Sequence, residues 1–387
     1  MKYLILIGDG IAGRPLQKLR GKTTLEAART PHIDRLLARG LTGLVQNVPR
    51  GMAPGSDVAN MSIFGYDPRR YYSGRAPLEA AALGVKLAQD DIAFRCNLVT
   101  IRGGKMRDFT AGHIETREAK KLIQKINREL GGAGARFYPG VSYRHLCVIR
   151  NGPLRAVCTP PHDITGRPVQ NYLPRGAQSG MLNRLMTASQ KMLAGEKTAA
   201  TQIWLWGQGQ APALTPLTQK YQLAGSVITA VDLIKGLGVY AGLKPLKVPG
   251  ATGFLDTNYR GKAAAAVRAL KKQDLALVHI ESPDECGHMG RADLKIRAIE
   301  DFDRKIVGPI IQALQKQKTA FRALILPDHP TPVSLKTHSG EPVPFVYYDS
   351  TAPRRSKFQK YSEKNAARSK IFIRRGCELL GRLYAGF

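Results

Sequence analysis

The chain is short of acidic side chains. In 387 residues, 29 Asp and Glu stand against 59 Lys and Arg, a formal net charge of +30. It also lacks any apolar run long enough to span a membrane, so no membrane partner is expected. The opening "MKYLILIGDG" is apolar only as far as Asp9. That stretch is too short for a secretory core and has no small-residue cleavage site, so it reads as a buried first strand. Cysteine is sparse and scattered: Cys96, Cys147, Cys158, Cys286 and Cys377 form no CxxC pair. An odd, dispersed set excludes a disulfide framework and points to reduced thiols in the cytoplasm. No GxxxxGK[ST] loop, internal repeat or long low-complexity linker is present. The positive charge alone suits a polyanionic partner, but no RNA- or DNA-binding motif accompanies it. A basic solvated surface is therefore expected, and a nucleic-acid role is not. The basic tail, residues 353–375, has apolar residues at helix-like intervals and leads into "CELLGRLYAGF" as a helical end.

A hydrophobic content of 43% supports a large core. Three apolar runs share a pattern: "KYLILIGDG" ends at Asp9, "LALVHIESPDECGH" at Asp284 and His288, and "FRALILPDHPTP" at Asp328 and His329. Continuous apolar runs read as strands buried on both faces, hence a parallel sheet covered by helices. Helices are expected at 30–40, 260–274 and 291–317. The alternation predicts a doubly wound, mostly parallel α/β core, in which ligands sit beyond the carboxyl ends of the strands. The stretch from about 75 to 200 is richer in Gly, Pro and Arg. Within it, residues 142–161 read as a hairpin turning at Asn151-Gly152. This segment is expected to be an inserted, smaller α+β domain covering 76–199, with 1–75 and 200–387 forming the core. "TQIWLWGQG" (201–209) is assigned to the resuming core. "VDLIKGLGVYAG" contains a GxGxxA match but reads equally as a helix with small residues for close packing.

"PGSDVANMSIFGYDP" places Ser56 on a turn ahead of a helix. A helix N-cap explains such a serine without any chemistry. Six potential ligands lie near strand ends or close by: Asp9, Asp284, His288, Asp328, His329 and His338. Asp284 and His288 are four apart, so one helical turn brings them to one face. Mixed carboxylate and imidazole donors suit two divalent ions, Mn²⁺ foremost, with Mg²⁺, Zn²⁺ or Co²⁺ also accommodated. Two such ions clamp a phosphoryl group and activate a serine hydroxyl, which casts Ser56 as nucleophile. No organic cofactor is expected. An anionic substrate would call for Arg and Lys partners; Lys235, His113, Arg75, Arg95 and Arg144 are candidates. Arg95 also suits a structural pairing with a carboxylate. His32 and His162 read as turn or helix-start residues.

The stretches "LILIGDG", "TPHIDRLLARG", "PGSDVANMSIFGYDPRRYYSGRAPLEAAALGV", "AGHI", "VDLIKGLG", "GATGFLDTNY", "DECGHMG", "DHPTP" and "THSGEPVPF" resemble the cofactor-independent phosphoglycerate mutases of the archaeal type, within the alkaline phosphatase superfamily. The resemblance runs nearly the whole chain. It implies an alkaline-phosphatase-like core, one metal on Asp9, Ser56, Asp328 and His329, and a second on Asp284, His288 and His338. It also implies a small phosphorylated acid as substrate, with transfer of a phosphoryl group between O3 and O2 of glycerate through phospho-Ser56, without 2,3-bisphosphoglycerate. Lys235 and His113 sit in stretches resembling the family's substrate-binding positions. "PDHPTP" departs from the Gly-Asp-His-Ser-Thr-Pro of many members. With "FYPGVSYRHL", "TPPHDITG" and "IWLWGQG", it resembles a sister group proposed to be homoserine kinases. That second reading keeps the metals and changes donor and acceptor. The inserted domain is expected to supply arginines and to close over the core.

Overall fold

The computed structural model describes residues 1–132 and 134–387. Its strands are β1 (Lys2–Gly8), β2 (Leu41–Val45), β3 (Asp91–Arg102), β4 (Lys105–Asp108), β5 (Ala135–Val141), β6 (Arg144–Arg150) and β7 (Gln202–Gly209). The later ones are β8 (Gly225–Ile228), β9 (Lys244–Pro245), β10 (Leu275–Ile280), β11 (Phe321–Leu326), β12 (Val343–Asp349) and β13 (Phe372–Ile373). The chain divides into a larger unit, Met1–Tyr72 with Ala213–Phe387, and a smaller one, Ser73–Pro212. No helix is long and apolar enough to cross a membrane among the described residues.

The larger unit is built on an eight-stranded sheet in the order β13-β2-β12-β11-β1-β10-β8-β9. β1 lies between β11 and β10 and is parallel to both, and β8 continues the parallel set. Only β12 runs antiparallel to its neighbours. Both faces are covered, as the unbroken apolar runs require. Leu4 and Leu6 of β1 and Ile228 of β8 join one apolar cluster with Ala263, Ala266 and Leu270 of the Tyr259–Leu270 helix. The intervening Ile5 and Ile7 are also buried, facing the other side. On β8 that other side belongs to Val227. A Cβ added at Gly238 of the Asp232–Tyr240 helix would lie 2.5 Å from its Cγ1. The GxGxxA match is therefore a close-packing device. The helix expected over 291–317 forms as Ala292–Phe302 and Gly308–Lys316, joined by one π turn at Asp303–Val307.

The smaller unit has a five-stranded antiparallel sheet, with β3 at its centre between β6 and β7. Ala119, Leu122, Ile123 and Ile126 of the Thr116–Leu130 helix recur at one helical face and pack with Phe94, Cys96 and Leu98 of β3. Three sequence expectations are corrected here. "TQIWLWGQG" is β7 of this sheet and not the resuming core, so the unit reaches Pro212, well beyond the expected 199. The run is apolar enough for either sheet, and periodicity does not name a partner. The hairpin partner of β6 is the upstream β5, not the segment after Asn151-Gly152. Pro153 follows that turn and has no N–H to give a ladder. The basic tail also differs from its helical expectation: after the short Glu363–Arg368 helix, β13 adds to the sheet edge beside β2.

Candidate active site

Asp9 directly follows β1, Asp284 and His288 lie on the Ser282–His288 helix after β10, and Asp328-His329 follow β11. These strands are neighbours and parallel, so their carboxyl ends deliver the side chains to one place. The turn after β1 approaches very closely. Gly10 has φ +63°, and a Cβ there would lie 2.7 Å from Asp284 Oδ1. No other residue type fits that position without displacing a ligand candidate.

Ser56 is the first helical residue of Ser56–Ile63, and Gly55 is the N-cap. The capping explanation for this serine therefore fails. Its Oγ instead lies 3.1 Å from His329 Nε2. His329 Nε2 is 3.4 Å from Asp328 Oδ2 and 3.7 Å from Asp9 Oδ1. Asp328 is held by the fold: Gly10 N and His329 N donate to Oδ1 at 3.2 and 2.8 Å, and Asn60 Nδ2 donates to Oδ2 at 2.8 Å. A second group forms beside it. His288 Nε2 lies 3.2 Å from Asp284 Oδ2, His338 Nε2 lies 3.5 Å from Oδ1, and the two imidazole nitrogens face each other at 3.0 Å. His288 Nδ1–H donates to the Lys336 carbonyl at 3.0 Å, which fixes the ring so that Nε2 faces Asp284 and His338. Thr331 Oγ1 donates to Asp284 Oδ1 and lies 3.3 Å from His329 Nδ1, bridging the two groups.

The electrostatics call for added positive charge. Burial, together with repulsion from Asp328 and Asp284, pushes the Asp9 carboxyl well above the usual carboxylate range. Its Oδ1 is buried without a hydrogen-bond partner. Burial also works against the Asp284 carboxylate, but hydrogen bonds from His288 and His338 outweigh it and hold the group well below its ordinary value. Hydrogen bonding to Asp284 pushes His288 up to about 9. Burial holds His329 below its usual range and His279 down at about 4. Buried carboxylates crowded together are costly unless cations sit among them. Asp284, His288 and His338 offer donor atoms within 4.8 Å of one another; so do Asp9, Asp284 and His329, and so do Asp9, His279 and Asp328. The donor set fits divalent cations.

Sequence reasoning missed four contributors. His279 is fully buried, with Nε2 3.1 Å from Asp9 Oδ2. Its signal was available: it is a lone histidine inside an apolar strand. Asn60 and Thr331 hold carboxylates through hydrogen bonds that no spacing encodes. Buried Lys295 donates to Ala12 O at 3.1 Å and Thr331 O at 2.7 Å, tying the segment after β1 to that after β11.

Of the candidate substrate residues of the smaller unit, Arg95 and Arg144 share one face of its sheet. Arg95 Nε donates to Glu79 Oε2 at 3.0 Å, and its guanidinium lies 4.2 Å over the Trp206 ring, so its structural pairing is real. Arg144, exposed at the start of β6, stands opposite Asn97, two residues along the strand from Arg95. Burial, then the charges of Arg75 and Arg144, reduce the basicity of Arg95, so the three cations are neighbours. His113, with φ 52°, stacks edge-on to Tyr143. Tyr143 meets Phe109, Phe109 meets His162, and His162 meets Trp206. His162 lies at the start of the short 3-10 helix Pro161–Ile164, as expected, and also takes a place in this aromatic row. His32 does sit at a helix start, its N–H donating to Asp303. Lys235, in the larger unit, pairs with Asp232 at 2.8 Å one helical turn away.

A serine hydroxyl among carboxylates and imidazoles at the ends of parallel strands defines an α/β protein with clusters of donors that fit divalent cations. A family model for 2,3-bisphosphoglycerate-independent phosphoglycerate mutase matches residues 38–198. A protein of that name from Methanosarcina acetivorans is 50% identical, with 99% of each chain covered. A second, from Methanothermobacter thermautotrophicus, is 51% identical over 89% of this chain and 88% of its own. The chain belongs to the 2,3-bisphosphoglycerate-independent phosphoglycerate mutase family. Among solved structures, a Pyrococcus horikoshii protein superposes with TM-score 0.83 at 27% identity, covering 99% of this chain and 96% of that one. The cofactor-independent phosphoglycerate mutase of Thermoplasma acidophilum gives 0.68 at 25%, covering 100% and 99%.

Proposed function

We propose that this chain interconverts 3- and 2-phosphoglycerate without 2,3-bisphosphoglycerate, with Ser56 as the nucleophile. The observation that carries the reading is Ser56 Oγ at 3.1 Å from His329, beside Asp9 and Asp328, in a serine that does not cap its helix. Asp9, Ser56, Asp328 and His329 would hold one divalent cation and Asp284, His288 and His338 the other, with Mn²⁺ as the proposed ion. Bound cations would neutralise phosphoryl oxygens and lower the pKa of the serine hydroxyl. Ser56 Oγ forms a bond to phosphorus and loses its proton, while the bond from phosphorus to glycerate O3 breaks and O3 takes up a proton. Glycerate O2 then attacks the phosphoserine, gives up its proton, and Oγ departs and is reprotonated. The positive end of the Ser56–Ile63 helix favours the phosphoryl charge on its first residue. In the smaller unit, Arg75, Arg144 and His113 are proposed to bind the carboxylate and phosphate. Arg95 acts there mainly by positioning Trp206 and Glu79, and Lys235 is proposed as a further cation for substrate. Five free thiols accord with a cytoplasmic setting.

The kinase alternative has a weaker basis, since the relatives at about half identity are named mutases. The test is a metal-loaded assay with 3-phosphoglycerate, following 2-phosphoglycerate through coupled enolase, beside an arm with homoserine and ATP. Turnover in the first arm alone is expected. Turnover in the second arm alone would replace the mutase reading.

A further inference from the structure

A cavity of about 440 Å³ lies in the larger unit, lined by Arg50, Arg69, Arg374 and Arg375, with Phe372 on its wall. No candidate metal ligand lines it. The charge is unbalanced. Arg375 pairs with Asp67 at 3.1 Å, and Arg69 donates to the Arg50 carbonyl at 2.9 Å. Four guanidinium groups thus face a single carboxylate. All four arginines are exposed, so none is there to fill a core. Phe372 leaves 48% of its surface exposed. Planar guanidinium forks match phosphate oxygens, and an open aromatic face suits a flat ring. The volume is within the range of small-molecule sites, roughly 300–1,000 Å³.

We propose that this cavity is a second anion site, taking a nucleoside di- or triphosphate: phosphates on the arginines and base against Phe372. Its floor adjoins the candidate centre. Gly376 N donates to Gln46 O at 2.9 Å, and the next residue, Asn47, donates from Nδ2 to Asp328 O at 3.0 Å. The ligand therefore rests one residue from the segment that carries Asp328, a placement suited to a regulator and not to a phosphoryl donor.

The test is calorimetric titration of ATP, and separately of pyrophosphate, into the full metal-loaded chain in excess Mg²⁺. Three variants accompany it: Arg50→Gln/Arg374→Gln, Phe372→Ala, and Lys120→Gln/Lys121→Gln, which removes equal charge from the exposed face of a helix in the smaller unit. Saturable one-to-one ATP binding is expected. It should weaken about 10- to 100-fold in the arginine pair, weaken a few-fold in Phe372→Ala, and hold in the lysine pair. Pyrophosphate should be indifferent to Phe372. The proposal is overturned by absence of ATP saturation at millimolar concentration. It is equally overturned by unchanged affinity in the arginine pair, or by equal losses in the arginine and lysine pairs, which would mean diffuse attraction to a basic surface.

Discussion

The two units carry their candidate functional residues in different ways. In the larger unit the polar side chains stand where three buried parallel strands end, fixed by strand register and by hydrogen bonds such as Asn60 to Asp328. In the smaller unit Arg95 and Arg144 share one face of an antiparallel sheet, held by ring contacts and by the pairing of Arg95 with Glu79. Strand ends create a rigid constellation of donors. A sheet face creates a surface whose chemistry depends on neighbours brought in from distant turns. Strand-end donors should therefore tolerate almost no change in donor atoms, while the sheet-face residues should lose function in steps.

Replacing Asp328 with Asn should break the larger unit's side of this comparison most severely. Turnover should fall by about 10³-fold or more with loss of one bound metal equivalent, measured by enolase-coupled assay and by metal content. Gly10→Ala should act nearly as strongly without touching a donor, because its Cβ would collide with Asp284. Crystallography or metal content would show whether the donor set is displaced. For the smaller unit, Arg144→Gln should raise KM by about 10-fold while leaving bound metal unchanged, since a charge-assisted contact is worth roughly 1.5–3 kcal/mol. Arg95→Gln should add a stability loss on the order of 2 kcal/mol by stranding Glu79, seen as an earlier urea midpoint. The smallest effect sharpens the comparison through pH. His288 is raised to about 9 in the ion-free protein because its proton binds Asp284. A cation held by His288 would displace that proton, so apparent metal affinity should increase as pH rises toward about 9 and flatten above it. The stabilisation from the protonated pair has the opposite sign: it is complete below the ordinary histidine value and is lost as pH rises through about 9. Thermal unfolding of chelator-treated protein across that window checks it.

Strand-end chemistry was legible because it follows from elementary rules. Apolar runs implied buried parallel strands, and Asp9, Asp284 and Asp328 at their ends implied a site. The four-residue spacing of Asp284 and His288 implied one helical face, which the Ser282–His288 helix supplies. What sequence could not settle was partnership. β7 reads as strand in either sheet, β6 has apolar neighbours on both sides in sequence, and His162 meets Trp206 only through long-range folding. His279 was overlooked for a different reason. Its strand is otherwise wholly apolar and masks it, although a buried imidazole needs a polar partner and finds one in Thr229 Oγ1, 3.4 Å from its Nδ1, while its Nε2 faces Asp9.

The most direct test of the central claim is where the phosphoryl group resides in the working enzyme. Metal-loaded protein would be mixed with 3-phosphoglycerate labelled in its phosphate, quenched in acid and digested, alongside Ser56→Ala. The account predicts label on the peptide carrying Ser56, with no label and no mutase turnover in the variant, whose circular dichroism should match the parent. Label on another residue, or turnover by Ser56→Ala at a rate near that of the parent, would contradict it.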